Sequence, residues 1–131
     1  MKNKIEYQII LVGLIAGGIS YWFNPYNRPL FGISIFTIMV ISTFIGSFFL
    51  TILLIEKPYK IALLATLGVI LAVIARIIFD GIMDPTSHNL APFEIIICGS
   101  ITIISTLVGA YFALLIKKFL FKKKIRKTPT S

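Results

Sequence analysis

Residues Ile61 to Phe79 read IALLATLGVILAVIARIIF, and residues Asp80 to Glu94 read DGIMDPTSHNLAPFE. The first stretch is almost wholly apolar and about as long as the roughly 20 residues a helix needs to cross the hydrocarbon of a bilayer. Lipid offers the backbone no hydrogen-bond partner, so a run of this kind must be helical. The second stretch breaks that helix with polar residues and two prolines, and the chain then turns apolar again from Phe93 to Ile116. The same alternation appears upstream. Apolar runs cover about Ile5–Phe23 and Leu30–Ile55, separated by Asn24-Pro25-Tyr26-Asn27-Arg28-Pro29, and Glu56-Lys57-Pro58-Tyr59-Lys60 precedes Ile61.

The expected fold is therefore an all-α bundle of four transmembrane helices with short loops. Residues 1–131 form a single domain, with spans at about 5–23, 30–55, 61–83 and 93–116 and a basic tail at 117–131. Apolar residues make up 57% of the chain and its mean hydropathy is +0.95, well above the 45–50% apolar fraction of soluble domains. Tyr21-Trp22-Phe23-Asn24-Pro25 follows the first run where a signal peptide would carry a small-residue cleavage site. It reads instead as an interfacial aromatic belt closing an uncleaved first span.

Orientation follows from the basic residues. Of 13 Lys and Arg, Lys2 and Lys4, then Lys57 and Lys60, then the seven from Lys117 to Lys127 fall at one set of alternate span ends. The other side has Arg28 alone, with Arg76 inside the third run. The positive-inside rule then predicts both termini in the cytoplasm, in a cell membrane, and the bias is too strong for dual topology. Abundant Lys, Ile and Asn and the lack of an organelle signal point to a bacterium. The formal charge of +8 would suggest nucleic acid in a soluble protein. Here Lys117, Lys118, Lys122, Lys123, Lys124, Arg126 and Lys127 follow the last span directly, so anionic lipid headgroups at the cytoplasmic face are the expected partners and nucleic acid is not.

Glycines and other small residues recur every four positions: Gly13 and Gly17, Ser42 and Gly46, then Ser105, Gly109 and Ala113. Such ridges let helices approach closely in lipid, within one chain, in a homo-oligomer or against other membrane proteins. Ser34, Thr37, Ser42, Thr43, Ser47 and Thr51 fall at roughly one-turn spacing on the second run. They either line a wet seam or, as hydroxyls in membrane helices commonly do, bond their own backbone. Cys98 is the single cysteine, which excludes a disulfide or a thiol redox pair; it is expected to be a small packing residue.

Three of the five acids, the single His and the one in-span Arg lie between Arg76 and Glu94. Ionisable groups at membrane depth are expensive unless paired, which makes Arg76, Asp80, Asp84, His88, Asn89 and Glu94 the candidate ligand-binding or proton-linked residues. Arg76, Asp80 and Asp84 recur every fourth position, so they share a helix face and an Arg76–Asp80 ion pair is geometrically easy. Asp84-Pro85 reads as the start of a short helix, with Asp as cap and Pro in the first turn, and Pro92-Phe93-Glu94 as the start of the last span. Asp84, His88 and Glu94 are the metal-ligand candidates, though no HExxH, paired His or Cys ligand accompanies them.

Three function classes follow. The leading one is a non-enzymatic accessory or scaffold protein that uses its extracytoplasmic loop as a contact or ligand surface. The second is a homo-oligomeric transporter or channel with Arg76, Asp80, Asp84 and His88 at the entrance. The third is a metal- or lipid-dependent enzyme using Asp84, His88 and Glu94. Thr86 and Ser87 are hydroxyls near His88, but neighbours in a turn seldom form a working dyad, so the enzyme ranks last and no catalytic residue or cofactor is assigned.

Overall fold

The structure is a computed structural model and describes residues 2–22, 32–86 and 91–125, with the backbone alone for residues 2 and 123–125. It is all-helical, with α1 (Lys2–Tyr21), α2 (Ile35–Leu53), α3 (Pro58–Met83) and α4 (Ala91–Ile125). Of these, α2, α3 and α4 are each long and apolar enough to cross a membrane. The first two turns of α1 hold Lys2, Asn3, Lys4, Glu6 and Gln8, which dilutes its apolar stretch.

Round the bundle the helices run α1, α2, α4, α3, with α2 and α3 touching across one diagonal. Beside a few larger residues such as Ile9, Met39 and Ile61, the inside is rich in small and hydroxyl side chains, while the outside is large and apolar. Ala16, Ala62, Ala72, Ala110, Ala113, Ser20, Ser47, Thr102 and Thr106 are buried, whereas Leu11, Ile19, Ile41, Phe49, Leu63, Ile104 and Leu115 are exposed. A water-soluble bundle has the opposite distribution. Lipid provides no hydrophobic force between helices, so association rests on close backbone contact and interhelical hydrogen bonds, for which small residues and hydroxyls are suited. The outward side chains of α1 belong to the same pattern.

Helices α1 and α3 run parallel and in near-constant register. Glu6 meets Lys60 at one end and Trp22 meets Arg76 at the other, both offset by 54 positions. Midway the backbones are in contact. A β-carbon on Gly13 would strike the carbonyl of Ala65, and one on Gly68 would strike the carbonyl of Ile10. One turn on, a β-carbon on Gly17 would lie 2.9 Å from that of Ala72. The Gly13/Gly17 ridge of the sequence is thus the α1 half of this seam, and Gly68 is the other half.

Helices α2 and α4 are also parallel, and the site a side chain would take at Gly109 is filled by the Ser47 hydroxyl and, at 2.6 Å, the Phe44 carbonyl. Around it the Thr43 and Ser105 hydroxyls are 3.1 Å apart, and Ser105 Oγ donates to the Val40 carbonyl at 2.7 Å. The antiparallel α3/α4 face carries a Thr66–Thr106 hydroxyl contact of 3.1 Å. On α2 the hydroxyls serve the backbone: Thr43 donates to Met39 O, Ser47 to Phe44 O and Thr51 to Ser47 O, at 2.6–3.0 Å, while Ser34 caps the helix. Cys98 is buried beside Tyr21, Met39, Val69 and Val73 as a packing residue.

Two boundaries differ from the sequence pattern by five residues or more. Helix α2 starts at Ile35, because Gly32 has φ +77° and Ser34 supplies the cap. Helix α4 runs on to Ile125, nine residues beyond Ile116. Lys, Leu and Phe in this segment meet no glycine or proline, and lysines in a last turn complement the helix dipole.

The seam gives a graded expectation. Gly13→Ala and Gly68→Ala should each lower the thermal midpoint in detergent, at a cost of about 1–3 kcal/mol for forcing atoms into a packed contact. Gly18→Ala, with nothing within 4 Å of the added carbon, should leave the midpoint unchanged or raise it.

Candidate functional site

The carbonyls at the end of a helix lack intrahelical donors, and this sets the local structure where α1 stops. Arg76, one helix over, donates from Nη1 to the Trp22 carbonyl at 2.8 Å and from Nε to Asp80 Oδ2 at 2.7 Å. Its guanidinium also lies 5.8 Å from the centre of the Trp22 ring. A cation beside the C-terminal end of a helix is favoured by the helix dipole as well. Trp22 is held from the other side, where its indole N–H donates to the Ala72 carbonyl at 3.0 Å and its ring meets Phe79 at 5.7 Å. Arg76 and Asp80 are 19% and 17% exposed, so the pair is shielded from water and screened less than a surface pair.

Helix α4 joins through its first turn. The buried Tyr21 hydroxyl donates to Glu94 Oε2 at 2.6 Å. That bond links α1 to α4 across the longer diagonal of the bundle, where their backbones do not touch. Glu94 lies in the first turn, where the dipole favours a negative charge.

Asp84 is the C-cap of α3. Its Oδ1 accepts from Thr86 N at 3.1 Å and from Thr86 Oγ1 at 2.7 Å, and residues 87–90, over which a helix starting at Asp84 would run, lie outside the described residues. A bond from the amide two residues on is shared by an Asx turn and by a helix cap. The two bonds from Thr86, the side-chain one first, hold the Asp84 carboxyl below its ordinary pKa.

The structure therefore brings Arg76 and Asp80 together, places Glu94 on Tyr21, and gives Asp84 to its own turn. His88 and Asn89 lie outside the described residues. Among the described residues no three His, Cys, Asp or Glu side chains converge as a metal site would require, and the Asp84–His88–Glu94 grouping remains an expectation of the sequence. The sequence did not single out Tyr21 and Trp22 as site residues. Both fit an aromatic belt there, and only the packing of α1 on α3 and the position of Glu94 reveal them as hydrogen-bonding ties.

At the opposite end Lys60 bridges Glu6 at 2.7 Å and Glu56 at 3.5 Å. Lys117 on α4 reaches the carbonyls of Thr51 and Ile52 at 3.5 and 3.4 Å. It thus does for the end of α2 what Arg76 does for the end of α1. Lys118 and Lys122 are exposed, the side chains of Lys123 and Lys124 are not described, and Arg126 and Lys127 lie outside the described residues.

No protein-family model, no curated protein and no solved structure matches this chain.

Two measurements address the site. Arg76→Ala should destabilise the bundle by about 2 kcal/mol, between the values for exposed and buried pairs, because it leaves Asp80 shielded and the Trp22 carbonyl undonated. Adding Asp80→Ala should recover part of that loss, and purely additive losses would contradict the coupling. For Asp84 the folded carboxyl is the more acidic one. Its contribution is present above the ordinary carboxylate pKa and disappears as pH falls through the lowered folded value. Carboxyl NMR of the Thr86→Val variant should show the Asp84 pKa moving up towards the ordinary value.

Proposed function

We propose that this chain is a non-enzymatic accessory or scaffold protein of a cell membrane. In this reading it crosses four times with both termini in the cytoplasm, and it presents the Asp80–Glu94 segment on the outer side as a contact surface. The observation that carries it is the use made of the polar residues. Arg76, Asp80, Tyr21, Trp22 and Glu94 hold the ends of α1, α3 and α4 to one another, which is the work of a frame that fixes the position of a loop. The α2 hydroxyls likewise bond the backbone, in keeping with a packed interior and not with a wet seam. The crossing of α1 is supported by its unstaggered run along α3 from Glu6 to Trp22 and by its apolar outer face. The cytoplasmic assignment rests on the asymmetry of Lys and Arg.

Native mass spectrometry of the full chain beside an Asp84→Ala/His88→Ala variant tests this function. With zinc, manganese or magnesium supplied, each should show only the mass of its own metal-free chain. An ion held by the unmutated chain and lost in the variant would overturn the scaffold reading in favour of a ligand site. The orientation is tested separately with single cysteines in a Cys98→Ala background. Cys at Thr86 should react with an impermeant maleimide on intact cells, and Cys at Thr128 only after permeabilisation.

A further inference from the structure

The basic end carries a feature that a frame does not need. Helix α2 stops at Leu53 while α4 continues to Ile125, so the last turns of α4 stand beyond the end of their neighbour. Nine residues from Lys117 to Ile125 rise about 13 Å at 1.5 Å per residue. On this extension Phe119, Leu120 and Phe121 are 75%, 61% and 59% exposed. Beneath them Ile52, Ile116, Lys117, Leu120 and Phe121 line a groove of about 230 Å³ between α2 and α4. It adjoins a second, wholly apolar hollow of about 270 Å³ formed by Leu115, Ile116, Phe119 and Leu120.

The charge around the groove is uncompensated. The acids of this end, Glu6 and Glu56, both lie on Lys60. Lys117, Lys118 and Lys122 have no acidic partner among the described residues. Lys117 reaches two carbonyls of α2 while its ammonium has three donors, which leaves one for a ligand at the rim.

From this juxtaposition we infer that the α2–α4 edge at the basic end is a binding site for one anionic glycerophospholipid. An acyl chain lies over Ile52, Ile116 and Leu120, and the phosphate sits on Lys117 with Lys118 and Lys122 around the headgroup. The inference rests on the chain spanning a membrane, though not on the scaffold reading. Charge selects this occupant: a second copy would bring the same lysines against these, whereas an anionic lipid supplies both the apolar chain and the negative charge. It also gives Phe119 and Phe121 the interfacial setting aromatic side chains favour.

The test is native mass spectrometry of the full chain from mixed micelles holding equal amounts of phosphatidylglycerol and phosphatidylcholine of identical acyl chains. The expected result is a single retained phosphatidylglycerol. Its retention should fall about fivefold for each lysine removed in Lys118→Gln and in Lys118→Gln/Lys122→Gln, and persist in Lys117→Arg. Lys57→Gln, on the α2–α3 turn, should retain it fully. Lys118 and Lys122 are exposed and bridge no two helices among the described residues, so the thermal midpoints of their Gln variants report whether the fold is intact. Equal retention of the two lipids would overturn the inference, as would a phosphatidylglycerol adduct indifferent to the lysine changes. A lipid-free dimer would also overturn it, by placing a second copy on this face.

Discussion

The contact between α1 and α3 at Gly13 and Gly68 is the constraint on which the rest of this bundle depends. In lipid there is no gain from moving apolar surface out of water, so helices associate only where they fit. Here two backbones meet with the Ala65 and Ile10 carbonyls standing where side chains would be. That proximity lets Glu6 reach Lys60 at one end and Arg76 reach the Trp22 carbonyl at the other. Without it Arg76 would keep Asp80 but not the Trp22 carbonyl, and the end of α1 would lose its donor. The α2–α4 pair repeats the arrangement with Gly109 and Lys117. In both pairs a long cation from one helix satisfies the C-terminal carbonyls of its parallel neighbour.

This arrangement assigns different work to the two ends of the molecule. At the Arg76 end the charged groups face inward and tie three helices. At the Lys117 end Lys60 ties α1 to α3 and Lys117 ties α4 to α2, and the lysines beyond Lys117 stand clear on an extension that α2 does not accompany. The first is the chemistry of a rigid support and the second that of a surface offered to something anionic. The interior between them is held by hydroxyls that bond backbone carbonyls within their own helix and across to the next, which provides cohesion without any charge at mid-depth.

Much of this was legible in the sequence, for reasons particular to each element. The apolar runs announce helices because lipid leaves the backbone no alternative, and the four-residue spacing of Arg76 and Asp80 announces their pairing. Gly13 and Gly17 signal a seam, but one sequence does not say which helix lies opposite, and Gly68 becomes meaningful only once α3 is seen there. Tyr21 and Trp22 were hidden by their suitability for an interfacial belt, a role that needs no partner. Asp84 satisfies the rules for a helix start and for a turn equally well, and the two bonds it accepts from Thr86 fit either. The helical continuation of α4 was obscured by its charge, which marks a boundary in polarity and not in backbone conformation. His88 and Asn89 lie outside the described residues, so their part in the outer segment stands as the sequence leaves it.

The most direct measurement of the central contact is a cross-link across the α1–α3 seam. In a Cys98→Ala background, Gly17→Cys and Ala72→Cys bring β-carbons to 2.9 Å in the present geometry, close enough that a small outward shift reaches the separation a disulfide takes. Mild oxidation in native membranes should close an intramolecular bond that protects both thiols from maleimide labelling and leaves the chain monomeric on a non-reducing gel. Thiols that stay reactive, or a bond formed only between two chains, would contradict the packing of α1 on α3.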